Sequence, residues 1–334
     1  MAFPIPTTFE VKPGDLGPAR IAAWVFPPHH VEAGAPPLWV VCFPGATYRG
    51  LAYYDTQAPG CTPSTYSMAR HLSAQGVGLV VIDNLGTGES RVPVSGWKLD
   101  RRLLAAAYRN LIDQVRDRLV CGMLLPGLAP LDDHTLFLGG IGHSMGGMLL
   151  SHLQAHHSPF DAIVVLGWAT LTMLTQLPGT SPDLFERVAA AITPDGSLPT
   201  SLRPLIRPWF FSPAVPEEII AADEADATIA PAAWLAEMQP RALIQEAASI
   251  TCPLFLGFGG IDVTATPHEE VSAYPQAPSI TLFVQKDSHH CANVEPGRFA
   301  LWQAVTNFLH AQAAQAAFSR YEAVDAAATQ PLVL

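Results

Sequence analysis

Residues 139–148 read GGIGHSMGGM, where the strand-like run TLFLGGIG meets the helix-like segment MLLSHLQAHH. Gly142, Ser144 and Gly146 form the pattern G-x-S-x-G at this junction. So sharp a strand-to-helix turn strains the serine backbone, and glycines two positions before and after it avoid a clash. The pattern therefore predicts an exposed Ser144 hydroxyl at a helix N-terminus, where the helix dipole and free backbone N–H groups favour negative charge.

Further apolar runs along the chain are continuous instead of alternating with polar residues, which is typical of parallel strands covered on both faces. Predicted strands lie near 20–26, 38–43, 78–83, 135–141, 162–168, 253–258 and 280–285. Predicted helices fall between or after them, near 63–75, 97–121, 145–157, 267–273 and 296–314. Because parallel neighbours need crossover connections, this order predicts an α/β fold with a doubly wound, mostly parallel sheet.

One stretch, 171–249, breaks the rhythm with proline-joined helical pieces and no strand-like run. We expect an α/β core formed by 1–170 and 250–334, with 171–249 as a helical insertion. Its aromatic residues make it apolar enough to cover a site, although an ordinary helical subdomain with its own small core would look the same. The alanine-rich tail from 313 predicts a helix that continues into a frayed end.

Charge and composition exclude several classes of protein. The net charge is −11 with only 18 lysines and arginines in 334 residues, which argues against binding a nucleic-acid backbone. The sequence contains no apolar run of membrane-spanning length and no signal-peptide pattern, so a cytoplasmic protein that does not act at a membrane is expected. The five cysteines form no C-x-x-C pair and are predicted to be buried, reduced thiols.

A serine hydroxyl needs a base, and the base needs an orienting acid. The segment GFGGID places Asp262 directly after one predicted strand, and QKDSHHCANVEPGR places His289 and His290 after the next. Loops that follow parallel strands converge at one edge of the sheet, where Ser144 is also expected. The other carboxylates that compete with Asp262 for the acid role are Asp161, Asp287 and Glu269.

The chain resembles the α/β-hydrolases of the serine type. Ser144, Asp262 and His290 follow one another in the order of that superfamily, and DNLGTGES (83–90) is similar to its D-x-x-G-x-G-x-S loop. FPGATYRG (43–50) follows an early strand, and the helical insertion stands where these enzymes carry a cap. The resemblance implies an α/β-hydrolase fold and a Ser-Asp-His triad.

The same resemblance assigns finer roles. S-H-H-C-A-N is similar to the S-x-H-C-x-N stretch around the base in some relatives, which favours His290 over His289. The oxyanion hole would take the backbone N–H groups of Met145 and Ala46, with Thr47 as the alternative because proline replaces a common histidine in F-P-G-A. Three tyrosines of this region either line the pocket mouth or pack: Tyr48, Tyr53 and Tyr54.

The expected function is hydrolysis of a carboxylic ester or lactone of a neutral, hydrophobic small molecule, with no metal or organic cofactor. A C–C bond hydrolase or a thioesterase with the same triad is an alternative, as is a non-catalytic ligand receptor on this fold. His152 and His156 are spaced i, i+4 on a predicted helix, but Leu153 and Gln154 follow instead of the glutamate that H-E-x-x-H requires, so no metal site is expected there. Homodimer formation is left open.

Overall fold

The computed structural model describes residues 4–90, 92 and 94–328, with side chains as far as residue 321. Its strands are β1 (Ile5–Val11), β2 (Ala19–Phe26), β3 (Leu38–Phe43), β4 (Gly78–Ile82), β5 (Phe137–His143), β6 (Ala162–Leu166), β7 (Ser197–Leu198), β8 (Ala230–Pro231), β9 (Leu254–Gly259) and β10 (Ile280–Gln285). All except β7 and β8 form one sheet in the order β1-β2-β4-β3-β5-β6-β9-β10. β1 and β2 pair antiparallel with their neighbours, and the other pairs are parallel.

The α-helices are α1 (Gly50–Tyr54), α2 (Met68–Ala74), α3 (Arg101–Val120), α4 (Met145–His157), α5 (Leu184–Ala191), α6 (Arg203–Phe210), α7 (Glu217–Ala225), α8 (Ile244–Ser249), α9 (Pro267–Glu270) and α10 (Arg298–Ala328). Short 3-10 helices cover Gly14–Leu16, Gly96–Lys98, Thr200–Leu202, Ala232–Glu237 and Val271–Ala273. Contacts divide the core helices into two groups, α4 with α3 and α8, and α10 with α2. Two helix groups around a parallel sheet are the layers of a doubly wound fold.

Every residue of β3, β4, β5, β6 and β9 is buried, which explains why these strands read as continuous apolar runs. The predicted fold class is therefore confirmed, and the strand at 38–43 and the helix at 145–157 match the structure residue for residue. The strand predicted at 135–141 is formed two residues later, so it ends at His143, directly before the serine.

The sequence prediction omitted β1 because only Phe9 and Val11 of this edge strand are buried, so it shows no continuous apolar run. Residues 171–249 contain α5 to α8 and also the antiparallel pair of β7 and β8, so the expectation of no strand there was wrong. Strands of two residues each carry no recognisable period. The division into core and cap stays a prediction.

Helix α10 continues well past the predicted 314 and reaches Ala328. The predicted frayed end falls partly on 329–334, outside the described residues. No helix in the described part of the chain has the length and apolarity needed to cross a bilayer. All five cysteines are free thiols, and three of them are buried as expected. Cys61 is only half-buried, and Cys121 is exposed because it follows the last residue of α3 at the surface.

Candidate active site

Ser144 occupies a strained turn between β5 and α4, with φ at +53°. A Cβ on Gly142 would lie 2.4 Å from the carbonyl oxygen of Gly146, and one on Gly146 would lie 2.2 Å from that of Phe43. Both positions therefore exclude any side chain, as the sequence pattern predicts. The Ser144 N–H donates to the carbonyl of Leu166 at 2.8 Å, which fixes the turn to the end of β6.

The structure brings Ser144, His290 and Asp262 into one hydrogen-bonded chain. The Ser144 hydroxyl lies 2.9 Å from His290 Nε2, and His290 Nδ1 lies 2.6 Å from Asp262 Oδ1. His290 and Asp262 are each only 1% exposed. With Nδ1–H donating to the carboxylate, Nε2 is left to accept the serine proton, which is the arrangement that activates a serine nucleophile.

The Asp262 carboxylate is held by backbone donors as well as by His290. Oδ1 accepts from Val263 N at 2.7 Å, and Oδ2 accepts from Gly259 N at 2.9 Å. These bonds satisfy an otherwise isolated buried charge and fix its orientation toward the imidazole. Of the competing carboxylates, Asp161 lies before β6, at the opposite end from Ser144, and bonds Leu138 N and Arg320.

His289 points away from the serine. Its Nδ1 donates to the carbonyl of Pro208 at 3.0 Å, and neither ring nitrogen contacts Ser144 or Asp262 among the described residues. Of the two adjacent histidines, His289 therefore contacts α6, and His290 contacts Ser144.

The loop after β3 lies against the serine. A Cβ on Gly45 would stand 3.1 Å from Ser144 Cβ, and Asn84 Nδ2 donates to the Pro44 carbonyl at 2.8 Å. Thr47 has φ at +64°, a left-handed conformation that is rare for a β-branched residue. Asp83, which begins the DNLGTGES loop, accepts from Gly50 N at 2.7 Å. The loop that resembles an oxyanion loop is therefore held in place by residues 83 and 84.

A cavity lies beside Ser144, and the centre of a water molecule could occupy about 80 Å³ of it. Ala46, Thr47 and Met145 line it together with the serine. Its remaining lining residues all come from 171–249 and are apolar: Leu177, Leu184, Phe185, Val188, Leu198, Leu202, Ile206, Trp209, Phe210, Leu235 and Met238. Among the residues that the structure describes, no charged side chain lines this cavity, so it suits an uncharged group.

Trp209 contacts His290, whereas the sequence led only to the expectation that this residue of the insertion lines a substrate pocket or packs within the insertion. Its indole stacks on His290 with ring centroids 4.0 Å apart and planes 20° from parallel. Backbone bonds reinforce this contact, because His290 N donates to the Trp209 carbonyl and Cys291 N to that of Phe210. No local sequence signal indicates such a contact across 81 residues.

His143, directly before Ser144, is another residue that the sequence did not single out. Its Nε2 donates to the His290 carbonyl at 3.2 Å, and its ring stacks on Tyr53 at 4.0 Å. Burial, with the nearby His290 as a smaller cause, lowers the pKa of His143 well below its usual value. A neutral His143 thus helps to hold the backbone of His290 in place.

The tyrosines of this region pack instead of lining the cavity. Tyr54 donates its hydroxyl to the carbonyls of Phe43 and Ile141, which bridges β3 and β5. Tyr48 stacks on Phe210 with centroids 6.0 Å apart. Of the two readings left open, packing is the one that the structure supports.

A family model described as the alpha/beta hydrolase family matches residues 40–300 of this chain. The chain belongs to the alpha/beta hydrolase family. The match spans β3 to the start of α10 and therefore includes the serine, the histidine and the carboxylate. Among curated proteins, no sequence matches this alpha/beta hydrolase.

Solved structures share the fold at low sequence identity. A thermophilic esterase from Thermogutta terrifontis, with malate bound, superposes with a TM-score of 0.65 at 16% identity, covering 92% of this chain and 99% of that one. An enol-lactonase from Burkholderia xenovorans has a TM-score of 0.59 at 16% identity, with coverages of 87% and 96%. A proline iminopeptidase from Mycobacterium smegmatis has 0.60 at 15%, with 93% and 100%. At these identities, the structural similarity shows only that this alpha/beta hydrolase shares their fold.

His152 and His156, set aside as metal ligands at first, lie close to Glu246 of α8, with ligand atoms within 4.8 Å of one another. Glu246 Oε1 already accepts from His152 Nδ1 at 3.2 Å and pairs with Arg101 at 3.4 Å. The guanidinium charge beside that carboxylate disfavours a second cation, so the cluster is an ion-pair network.

This network predicts acid sensitivity of the fold. Burial, reinforced by the nearby His156, lowers the pKa of His152 to about 4. Between about pH 6.5 and 4 the unfolded chain therefore binds a proton that the folded chain excludes, and stability falls as pH falls. Between pH 7 and pH 5, this difference in proton binding lowers the free energy of unfolding by at most about 2 kcal/mol.

The melting temperature at pH 7 and pH 5 tests this prediction. His152→Gln should reduce the difference between the two temperatures, whereas the same change at the exposed His134 should leave it unaltered. An equal pH dependence in wild type and His152→Gln would contradict it.

Proposed function

We propose that this alpha/beta hydrolase is a serine hydrolase that cleaves a carboxylic ester or lactone of a neutral, apolar small molecule. The observation that carries the proposal is the chain of hydrogen bonds from Ser144 through His290 to Asp262, beside a cavity with no charged lining residue. Esterases and an enol-lactonase among the solved structures of the same fold are consistent with it. A cytoplasmic location and a small hydrophobic ester or lactone as the binding partner belong to the same proposal.

In the proposed reaction His290 Nε2 takes the proton of the Ser144 hydroxyl as Oγ attacks the carbonyl carbon of the substrate. The tetrahedral oxyanion accepts hydrogen bonds from the N–H groups of Met145 and Ala46, and Asp262 stabilises the imidazolium. His290 then gives its proton to the leaving alcohol oxygen, and an acyl-enzyme remains. Water, deprotonated by His290, attacks the acyl carbon, and His290 then returns this proton to Ser144 Oγ as the C–O bond to the serine breaks and the acid leaves.

The placement of the arginines in the insertion favours an ester over the dianionic substrate of a C–C bond hydrolase. A pocket for a dianion would present arginines, but Arg203 is buried against Asp223, and Arg207 pairs with Glu217 and Glu224. Neither lines the cavity. A thioesterase would use the same triad and an equally apolar pocket, so thioesters belong in the substrate panel.

Removal of the nucleophile tests the chemistry. Ser144→Ala should lower turnover of 4-nitrophenyl esters by at least about a thousandfold, the usual scale for a triad member. Wild type should be labelled by a fluorophosphonate, and the variant should not. The melting temperature should stay close to that of wild type, because the hydroxyl contacts solvent-accessible space in the cavity. Ester turnover within tenfold of wild type would remove Ser144 from the mechanism, and labelling without turnover of any substrate would favour the ligand receptor.

The two adjacent histidines provide a matched pair. His290→Ala should lose as much activity as Ser144→Ala, and the double variant should be no worse, because the residues act as a unit. His289→Ala removes only a contact to the Pro208 carbonyl and should cost far less. If His289→Ala were the more damaging change, the role of base would pass to His289.

The apolar lining from 171–249 predicts selectivity. Phe185 lines the cavity without touching His290, so Phe185→Ala should enlarge the space and raise the relative rate for longer acyl chains, while kcat for the acetate ester stays the same. Phe211 is equally part of the insertion but lies outside the lining, so Phe211→Ala should lower the melting temperature only. Relative rates across an acetate-to-octanoate series decide: if both variants keep the wild-type preference, the insertion is a packing subdomain and not a cap.

A further inference from the structure

We infer that Arg203, the first residue of α6, is a positioning residue that fixes the oxyanion loop for catalysis. Its side chain is buried, with 3% of the residue exposed, and it forms an ion pair with Asp223 of α7. The inference rests on the proposed function, since it concerns the same site. Arg203 does not line the cavity, so its proposed role requires no contact with the substrate.

The guanidinium contacts the loop at two consecutive residues. Nη1 donates to Thr47 Oγ1 at 3.3 Å, and Nη2 donates to the Tyr48 hydroxyl at 3.2 Å. The guanidinium carbon also lies 4.5 Å from the centre of the Tyr48 ring. Arginine is suited to this place because its planar group presents five N–H donors in a fixed fork, whereas an ammonium group presents three that rotate about a single bond.

Thr47 needs external support. Its positive φ is unfavourable for a β-branched residue, so the surroundings must hold it in this conformation. The Thr47 carbonyl accepts from Thr228 N at 3.0 Å, while Arg203 holds the hydroxyl. Because Ala46 precedes this turn, the direction of its N–H, and that of Thr47, depends on keeping Thr47 in place.

The same guanidinium reaches the loop of the base. With Arg203 donating to the Tyr48 oxygen, the Tyr48 hydroxyl is free to donate to Cys291 Sγ, 3.2 Å away. Cys291 directly follows His290. One buried cation therefore connects the loop that would bind the oxyanion with the segment that carries the base, although it belongs to neither.

A purely structural role is the competing explanation, and the choice of variants separates the two. Replacing Arg203 with an apolar residue would strand the Asp223 carboxylate and endanger folding. Arg203→Lys keeps the positive charge but loses the planar set of guanidinium donors. Thr47→Val removes the hydroxyl that accepts from Arg203 while retaining the β-branched shape. Thr47→Ser restores the hydroxyl. Arg207→Lys, on the same helix and paired with Glu217 and Glu224 near the surface, is the matched control.

The measurement is kcat and KM for 4-nitrophenyl acetate, with melting temperatures for every variant. For Arg203→Lys and Thr47→Val we expect kcat to fall about tenfold, less than the loss of a whole oxyanion donor costs, with KM within about twofold. The double variant should be no worse than either single one, Thr47→Ser should recover most of the kcat lost in Thr47→Val, and Arg207→Lys should stay near wild type. A lower melting temperature with unchanged kcat, or an effect on KM alone, would overturn the inference.

The rate of Ser144 phosphonylation by a fluorophosphonate separates this inference from the proposed function, because charge develops on the phosphonyl oxygen in the same hole. If wild type is labelled but cleaves no ester, the proposed substrate class is wrong, and slower labelling of Arg203→Lys still supports the positioning role. Equal labelling rates in wild type and Arg203→Lys would overturn that role. Absence of labelling in wild type would overturn both.

Discussion

The strained turn at Ser144 constrains the centre of the molecule. A positive φ at a residue with a side chain persists only where neighbouring groups hold it. Here the carbonyl of Leu166, at the end of β6, accepts from the Ser144 N–H. The carbonyl of Phe43, at the end of β3, lies so close to Gly146 that no side chain fits there. Strands β3, β5 and β6 must therefore be adjacent in the sheet. The loop that leaves β3 then necessarily passes the serine, which is how the candidate oxyanion loop comes to lie there.

The sequence predicts the parts of the site that depend on local chemistry and on sheet polarity. Continuous apolar runs indicate buried parallel strands, and the carboxyl ends of such strands meet at one edge. That rule places Asp262 and both adjacent histidines, His289 and His290, near Ser144. Only the resemblance to the family favours His290, and the structure brings its side chain together with Ser144 and Asp262. Stretches 38–43 and 145–157 could be delimited because a strand of buried residues and a helix after a glycine turn both have clear ends.

Contacts made by the insertion could not be predicted in this way. The apolar residues Leu205, Ile206, Trp209 and Phe210 recur at helical spacing and indicate the inward face of α6, but no pattern states which residues of the core that face meets. The stacking of Trp209 on His290 and the pairing of Arg203 with Asp223 join segments separated by many residues without a shared motif. Edge strand β1 was missed for a related reason, since one solvated face removes the continuous apolar signal.

Helix α6 belongs to the site in physical terms, although the sequence places it in an insertion. Its carbonyls at Trp209 and Phe210 accept from the backbone of His290 and Cys291, and its first residue holds Thr47 and Tyr48. Trp209 also excludes water from one face of the imidazole, which strengthens the charge interaction between His290 and Asp262. Moving α6 away from the core would break these contacts together. The boundary at residue 171 therefore divides the sequence but does not divide the groups on which the proposed chemistry depends.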